Sequence, residues 1–343
     1  MNHQKRNGLL VAGVAGAAAL AALFLNCDRR GDAPVMAQET GAGRQQHWDE
    51  LKKKNEEAIW IADEWARPAN LGPPVNTAGW EDSPMLSRDG RTLTFCYFRI
   101  DPLSLLLEKK ERVPGPLRPG WPTREPFKSR SALIYISHLI DGEWTSPAPI
   151  DEPVNSPTGA MGGQWLSADQ LRIYFNSDGG GRKKGVYFSR RKDAASPWST
   201  PQLLSINSAY LEESPHLSAD ETQMYFESTR PGGQGKKDIW LSAFSSGQWQ
   251  QPVNLGPTVN TMENEEHPFI SADGQTLLFM RNQEIYRSRR QTNTWGKPEV
   301  IVRGGVGEPS LSDSGDLCFV EVYVSDQKEY DCDILIAKRK GQK

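Results

Sequence analysis

A chain of 343 residues, 24% charged and 37% hydrophobic, has the balance of a globular protein and is long enough for one large or two ordinary domains. Its net charge of −3 offers no global attraction for nucleic acid, and 31 glycines with 24 prolines make it turn-rich without the fixed period of a collagen. Eleven tryptophans are the compositional outlier, and five of them mark out a repeat.

Lys5 and Arg6 precede an uncharged run from Gly8 to Leu25, and Cys27 comes next. A basic patch ahead of an apolar core is the pattern of export, so residues 1–27 are expected to be a signal peptide or a membrane or lipid anchor. Three fates suit it. Leu23-Phe24-Leu25-Asn26-Cys27 resembles a lipobox, with Asn26 where a small residue is usual. The apolar segment 8–25 reaches the lower limit for an uncleaved span, and Val35-Met36-Ala37 suits signal-peptidase cleavage, with charged Asp28-Arg29-Arg30 lying between. Each fate puts the remainder of the chain outside the cytoplasm, in the periplasm or cell envelope. Residues 28–55 are polar and read as a flexible tether, within which Trp48 to Glu57 suits a short helix.

From residue 56 onward two motifs recur five times each. Trp-x-x-Pro begins at Trp65, Trp144, Trp198, Trp249 and Trp295. A Ser-x-Asp turn begins at Ser87, Ser167, Ser218 and Ser271, with a variant form at Ser312. Each turn leads into a β-rich run such as Leu93 to Phe98 or Leu277 to Met280, a hairpin, and a second run such as Ile239 to Ser242. Trp-x-x-Pro then supplies an outer strand, where proline costs no ladder bond. The spacing predicts an all-β fold, a five-bladed β-propeller of four-stranded antiparallel blades over 56–343, with an insertion at 100–130 in blade one. Trp65 precedes the first turn and no Trp-x-x-Pro comes after the last, so the N-terminal strand around Trp65 is expected to close the ring. Asn-Leu-Gly and Val-Asn-Thr joints, at Asn70 to Thr77 and Asn254 to Thr261, connect the blades.

Glu-Asp-Ser-Pro from Glu81, the Ser-x-Asp-Gly turn, the Gly232 to Trp240 hairpin and Trp-x-x-Pro together resemble the TolB-like, WD-type β-propeller repeat of bacterial envelope proteins. The resemblance covers 56–343 apart from the insertion; Gly162-Gly163-Gln164 replaces the acidic Ser-Pro pattern in blade two, and blade five has a variant turn.

Aligned on the turns, acidic residues fall just before the innermost strands: Glu81 and Asp82, Glu212 and Glu213, Glu265 and Glu266, with Glu308 displaced by one. With His216 and His267 they form the candidate site, a channel mouth suited to an envelope protein or peptide, a glycan, or a bound cation. The same groups also suit a structural role as turn caps. Acids recurring as part of a repeat favour a non-enzymatic binding or scaffold propeller; the alternative is a glycosidase-like enzyme using carboxylates in the central funnel, which requires a few unique acids at fixed separation. No catalytic residue is assigned, no resident cofactor or nucleic-acid partner is expected, and membrane contact is expected only through the N-terminus. Hydrolase, metalloprotease, nucleotide and zinc motifs are absent from the sequence. The insertion, with Leu103-Ser104-Leu105-Leu106-Leu107, suits either a partner loop or a surface excursion. Arg182-Lys183-Lys184 and Lys236-Lys237 read as solvated hairpin tips. Cys96, Cys318 and Cys332 read as small buried hydrophobes, although an oxidising compartment permits a bridge between the last two.

Overall fold

The computed structural model describes residues 41–99, 115, 116, 118, 119, 132–156, 159–177, 182–325 and 330–341. The signal or anchor segment, residues 28–40 and nearly all of the 100–130 insertion lie outside the described residues. Among the described residues the fold is all-β except for one helix, Gly41–Ala58. The short helix expected from Trp48 to Glu57 is thus longer, taking in residues 41–47 of the stretch read as a flexible tether. Lys52 pins that helix to the last hairpin, its Nζ lying 2.8 Å from Asp331 and 2.6 Å from Asp333. No helix among the described residues is long and apolar enough to cross a membrane.

Each sequence repeat folds as an antiparallel meander. The first strands are Trp80–Leu86, Met161–Leu166, Glu212–Leu217, Glu266–Ile270 and Val306–Leu311. Each pairs with a second strand, and that with a third, so the third unit runs from Glu212–Leu217 through Gln223–Ser228 to Asp238–Ser245. The strands fall into sheets of six, four, five and nine, the last holding the fifth and first units joined by a parallel bridge between Cys332 and Trp80. First strands pack side by side from unit one through unit five, and Val306–Leu311 packs back on Trp80–Leu86.

Every first strand carries a β-bulge at the same place, and the bulged residue is left-handed: Ser83, Gly163, Ser214, His267 and Glu308 have φ between 50° and 57°. A non-glycine residue held there costs on the order of 1–3 kcal/mol, so the surrounding contacts must fix it. Those contacts cross between units: the His267 amide donates to Glu227 Oε2 at 2.8 Å, the Ser83 amide donates to Glu308, and Gln164 Nε2 donates to the Ser83 carbonyl at 2.7 Å.

The tryptophan motif differs from expectation in one respect. Trp144, Trp249 and Trp295 turn back onto the extended end of their own third strands, and the outer strand starts only after the proline, at Ala148–Pro149, Val253–Asn254 and Glu299–Arg303. Proline thus stands at the start of an edge strand, where its missing N–H leaves no ladder bond unmade. The indoles pack between neighbouring units: Trp249 meets Tyr174 edge-on at 6.3 Å, and Trp295 meets Tyr225 at the same separation. At the N-terminus, Trp65 bridges to Arg339 and its Nε1 donates to the Gly315 carbonyl at 2.8 Å, while Ala69–Asn70 pairs with the last strand, Tyr330–Ala337.

Buried asparagines lock successive units together. Asn155, Asn207 and Asn260 each use the side-chain amide as a peptide mimic, bonding both N–H and C=O of Ile134, Val186 and Ile239 in the preceding third strand. Asn76 does the same to Ile334 of the final unit, at 3.0 and 2.9 Å. Cys96, Cys318 and Cys332 are buried free thiols. The permitted Cys318–Cys332 bridge is absent because Cys318 stands opposite Ile336 and Cys332 opposite Val322, four residues apart along the ladder.

Candidate functional site

The nine residues singled out from sequence do not form one mouth; the fold divides them into three groups. Glu81, Glu212 and Glu265 are interlocks. Each accepts a hydrogen bond from the hydroxyl four residues earlier, Thr77, Ser208 or Thr261, at 2.6–2.7 Å. Each also pairs with an arginine lying over an aromatic ring: Arg118 over Tyr97, Arg230 over Phe226 and Arg281 over Tyr286. Arg118 comes from the insertion. Burial pushes the Glu81 and Glu265 carboxyls up against these partners; at Glu81 both partners take Oε1 and Oε2 is buried without a hydrogen bond among the described residues.

Asp82, Glu213, Glu266, His267 and Glu308 lie buried, as does Glu227, which the sequence analysis did not single out. The cation at their centre is the protein's own. Lys237 Nζ is 2.8 Å from Glu227, 2.9 Å from Glu266 and 3.4 Å from Glu213, and at 6% exposure it is not the solvated hairpin tip expected. Burial opposes the ammonium, but the three carboxylates hold its pKa well above the ordinary value. Burial likewise raises the acids, Glu213 to about 8, Asp82 and Glu266 to about 7 and Glu308 well above the ordinary range. Glu227 goes the other way: burial pushes it up, but Lys237 and His267 outweigh that and hold it low. His267 is pushed down to about 4, chiefly by burial, so it is neutral at pH 7 where it meets Glu308 at 3.3 Å. The space beside this cluster is about 40 Å³, room for a water or two. Among the described residues no three His, Cys, Asp or Glu side chains are grouped so as to hold a metal ion, and the place a cation would take among the carboxylates is filled by Lys237.

His216, the ninth residue, borders both that small space and the region between the Ser-x-Asp turns. Its Nδ1 accepts the Ile270 amide at 3.2 Å, linking two units, and burial pushes its pKa down to about 3. There, between the Ser-x-Asp turns, opens a cavity of about 690 Å³. Met85, Trp165, Phe269 and Leu311 give it an apolar wall, one residue from each of four units. The rim is set by the middle residue of each turn: Ala168, Ala219 and Ala272 leave one side open, while Arg88 and Asp313 close the other with an ion pair at 3.1 Å. A second cavity of about 460 Å³, walled by Thr92, Thr94 and Gln170, continues between units one and two and shares Met85, Arg88, Leu166 and Asp313 with the first. Sequence reasoning missed these residues because a search for charged chemistry passes over apolar positions; aligning the residues after each bulge would have gathered them.

The acids facing the large cavity are all engaged. Asp273 is held below the usual carboxylate range by the Ser271 hydroxyl and the Gln275 amide. Asp169 is held low by Ser167 and the Leu171 amide against the upward push of burial. Glu221 grips Arg172 at 2.8 Å, and Asp313 grips Arg88.

No family model matches the sequence, and no curated protein matches it. Solved structures with a similar backbone include TolB from Acinetobacter baumannii, 12% identical, covering 89% of this chain and 72% of that one at a TM-score of 0.43. A xylan beta-1,4-xylosidase from Bacillus halodurans is 15% identical over 78% of this chain and 54% of its own, at a TM-score of 0.46. An alpha-L-arabinofuranosidase from Podospora anserina is 8% identical, covering 79% and 95%, at a TM-score of 0.39. These likenesses concern the fold, are TolB-like and glycosidase-like at once, and carry no argument about activity.

Proposed function

We propose that the chain is an extracytoplasmic, non-enzymatic binding propeller, tethered through Cys27 or the 8–25 segment, that takes a peptide or protein segment into the mouth between its Ser-x-Asp turns. On this reading the five units are blades about one axis and the Trp65 to Asn76 segment closes the ring. The cycle of first-strand packing and the Asn76 clamp, which repeats at the seam what Asn155, Asn207 and Asn260 do between consecutive units, support it.

One observation carries the functional part. A glycosidase needs a carboxylic acid of raised pKa facing an open funnel across from an ionised partner. Here the acids of raised pKa are buried away from the 690 Å³ cavity, Glu213 and Glu266 on Lys237, Asp331 on Lys52, and Asp82, Glu308 and Glu321 in the interior, while the acids of that cavity are tied to arginines or held low by turn hydrogen bonds. An apolar cavity of this size with a few polar groups at its rim suits binding. The test is selection of a phage-displayed random-peptide library on the full-length protein, with Ala219→Trp as the plugged mouth. Enriched phage should be retained by the parent and lose at least about tenfold on the variant, the equivalent of about 1.4 kcal/mol. No enrichment, or equal retention, removes the mouth as the site. Release of sugar from aryl glycosides would favour the enzyme instead.

A further inference from the structure

The third residue after each turn serine occupies the same left-handed position in all five units. Three units place glycine there, Gly90, Gly274 and Gly315, with φ of 70°, 68° and 80°. The other two hold Gln170 at 56° and Glu221 at 57°. A side chain at such a position is a standing cost that glycine avoids. For Glu221 the return is visible, since its carboxylate takes both Nε and Nη2 of Arg172 across the boundary between units two and three. For Gln170 it is not. Its Nε2 reaches Thr92 Oγ1 only at 3.4 Å, and its side-chain oxygen has no hydrogen-bond partner among the described residues. The amide faces the 460 Å³ side lobe, which runs on from the apolar cavity past Met85 and is lined by the hydroxyls of Thr92 and Thr94 as well as by Arg88, Asp89 and Asp313.

We propose that Gln170 is the specificity-determining residue of the mouth, offering one donor and one acceptor to a peptide group or a side-chain amide of an extended ligand. An apolar side chain of that ligand fills the central cavity. This rests on the reading of the chain as a peptide-binding propeller. An amide reads an amide reciprocally, which a backbone running from an apolar to a polar lobe presents. A sugar would require an open aromatic face, and Trp165 is 7% exposed, edge-on to His216.

Gln170→Gly separates a ligand contact from a structural one. Relief of the left-handed strain should raise Tm by about 1–3 °C. Retention of the random-peptide phage pool enriched on the full-length parent should meanwhile fall about three- to tenfold, the worth of one or two hydrogen bonds. A lower Tm with unchanged retention would make Gln170 a brace for Thr92 and overturn the assignment while leaving the mouth intact as a peptide site. Failure to enrich any peptide removes the reading and this residue's role together. Gln170-dependent binding to neutral oligosaccharides on an array, without peptide enrichment, overturns the peptide class.

Discussion

Lys237→Met tests the electrostatic account of the channel. Methionine keeps most of the stem but removes the ammonium that lies within 3.4 Å of three buried carboxylates. Removing one partner of a buried ion pair costs about 3–5 kcal/mol because the remaining charge stays unpaired. Only part of the trio contributes at neutral pH. Glu213 and Glu266, pushed to about 8 and about 7, relieve themselves by keeping protons, so Glu227, which Lys237 holds low, is the charge left exposed to the penalty. In the variant the folded-state pKa of Glu227 rises above its unfolded value. A group raised in this way contributes stability below its unfolded pKa and loses it as pH climbs, so the deficit of the variant should grow from pH 5 to pH 8. Urea unfolding followed by tryptophan fluorescence at the two pH values measures this directly. A deficit of about 3 kcal/mol or more at pH 8, shrinking by half or more at pH 5 and partly recovered by adding Glu227→Gln, is the expected outcome. A deficit below about 1 kcal/mol at both pH values, or one that grows on acidification, would refute the placement of Lys237 among ionised acids.

Asn76→Ala removes the amide that bonds both backbone groups of Ile334 and should cost about 2–4 kcal/mol in urea unfolding, matching Asn260→Ala if this joint is built like the others; a loss well below that of Asn260→Ala would show that the N-terminal segment is not clamped to the last unit in the same way. The parent itself should lose stability on the alkaline side of about pH 6.5, because Asp82, Glu213 and Glu266 bind protons in the folded state that the unfolded chain has already released. Below that pH the sign is mixed, since His216 and His267, pushed down to about 3 and about 4, must stay neutral in the fold while they charge in the unfolded chain. A Tm rising from pH 6.5 to 8.5 would contradict the raised carboxyls.

Strand order, the Ser-x-Asp turns and the pairing of the N-terminal segment with the last hairpin were legible because each is written repeatedly, and repetition fixes register where a single short strand would not. The candidate acids were harder to read, and the pleat explains why. Neighbours along a strand point to opposite faces, so Glu81 and Asp82, Glu212 and Glu213, and Glu265 and Glu266 cannot share one site. The first of each pair went to an arginine interlock, the second to the channel. Lys237 was hidden for a related reason. It sits next to Lys236 in what reads as a basic hairpin, and only the packing of Glu227 and Glu266 from two units shows that the second lysine turns inward.

A repeat supplies equivalent groups to every unit and thereby builds the frame, so chemistry that distinguishes one ligand from another must lie where the units disagree. At the bulge they disagree in the side chain: Ser83, Gly163 and Ser214 keep it small, while His267 and Glu308 are large and meet at 3.3 Å. At the turn they disagree in Arg88 and Asp313 against three alanines, which leaves the mouth asymmetric and open on one side. Gln170 is the disagreement without a local return, since the strain at its backbone is matched by one long hydrogen bond to Thr92. Three of the five units place glycine at that position and Glu221 is matched there by Arg172, so the side chain of Gln170 is better explained by what it meets from outside the fold.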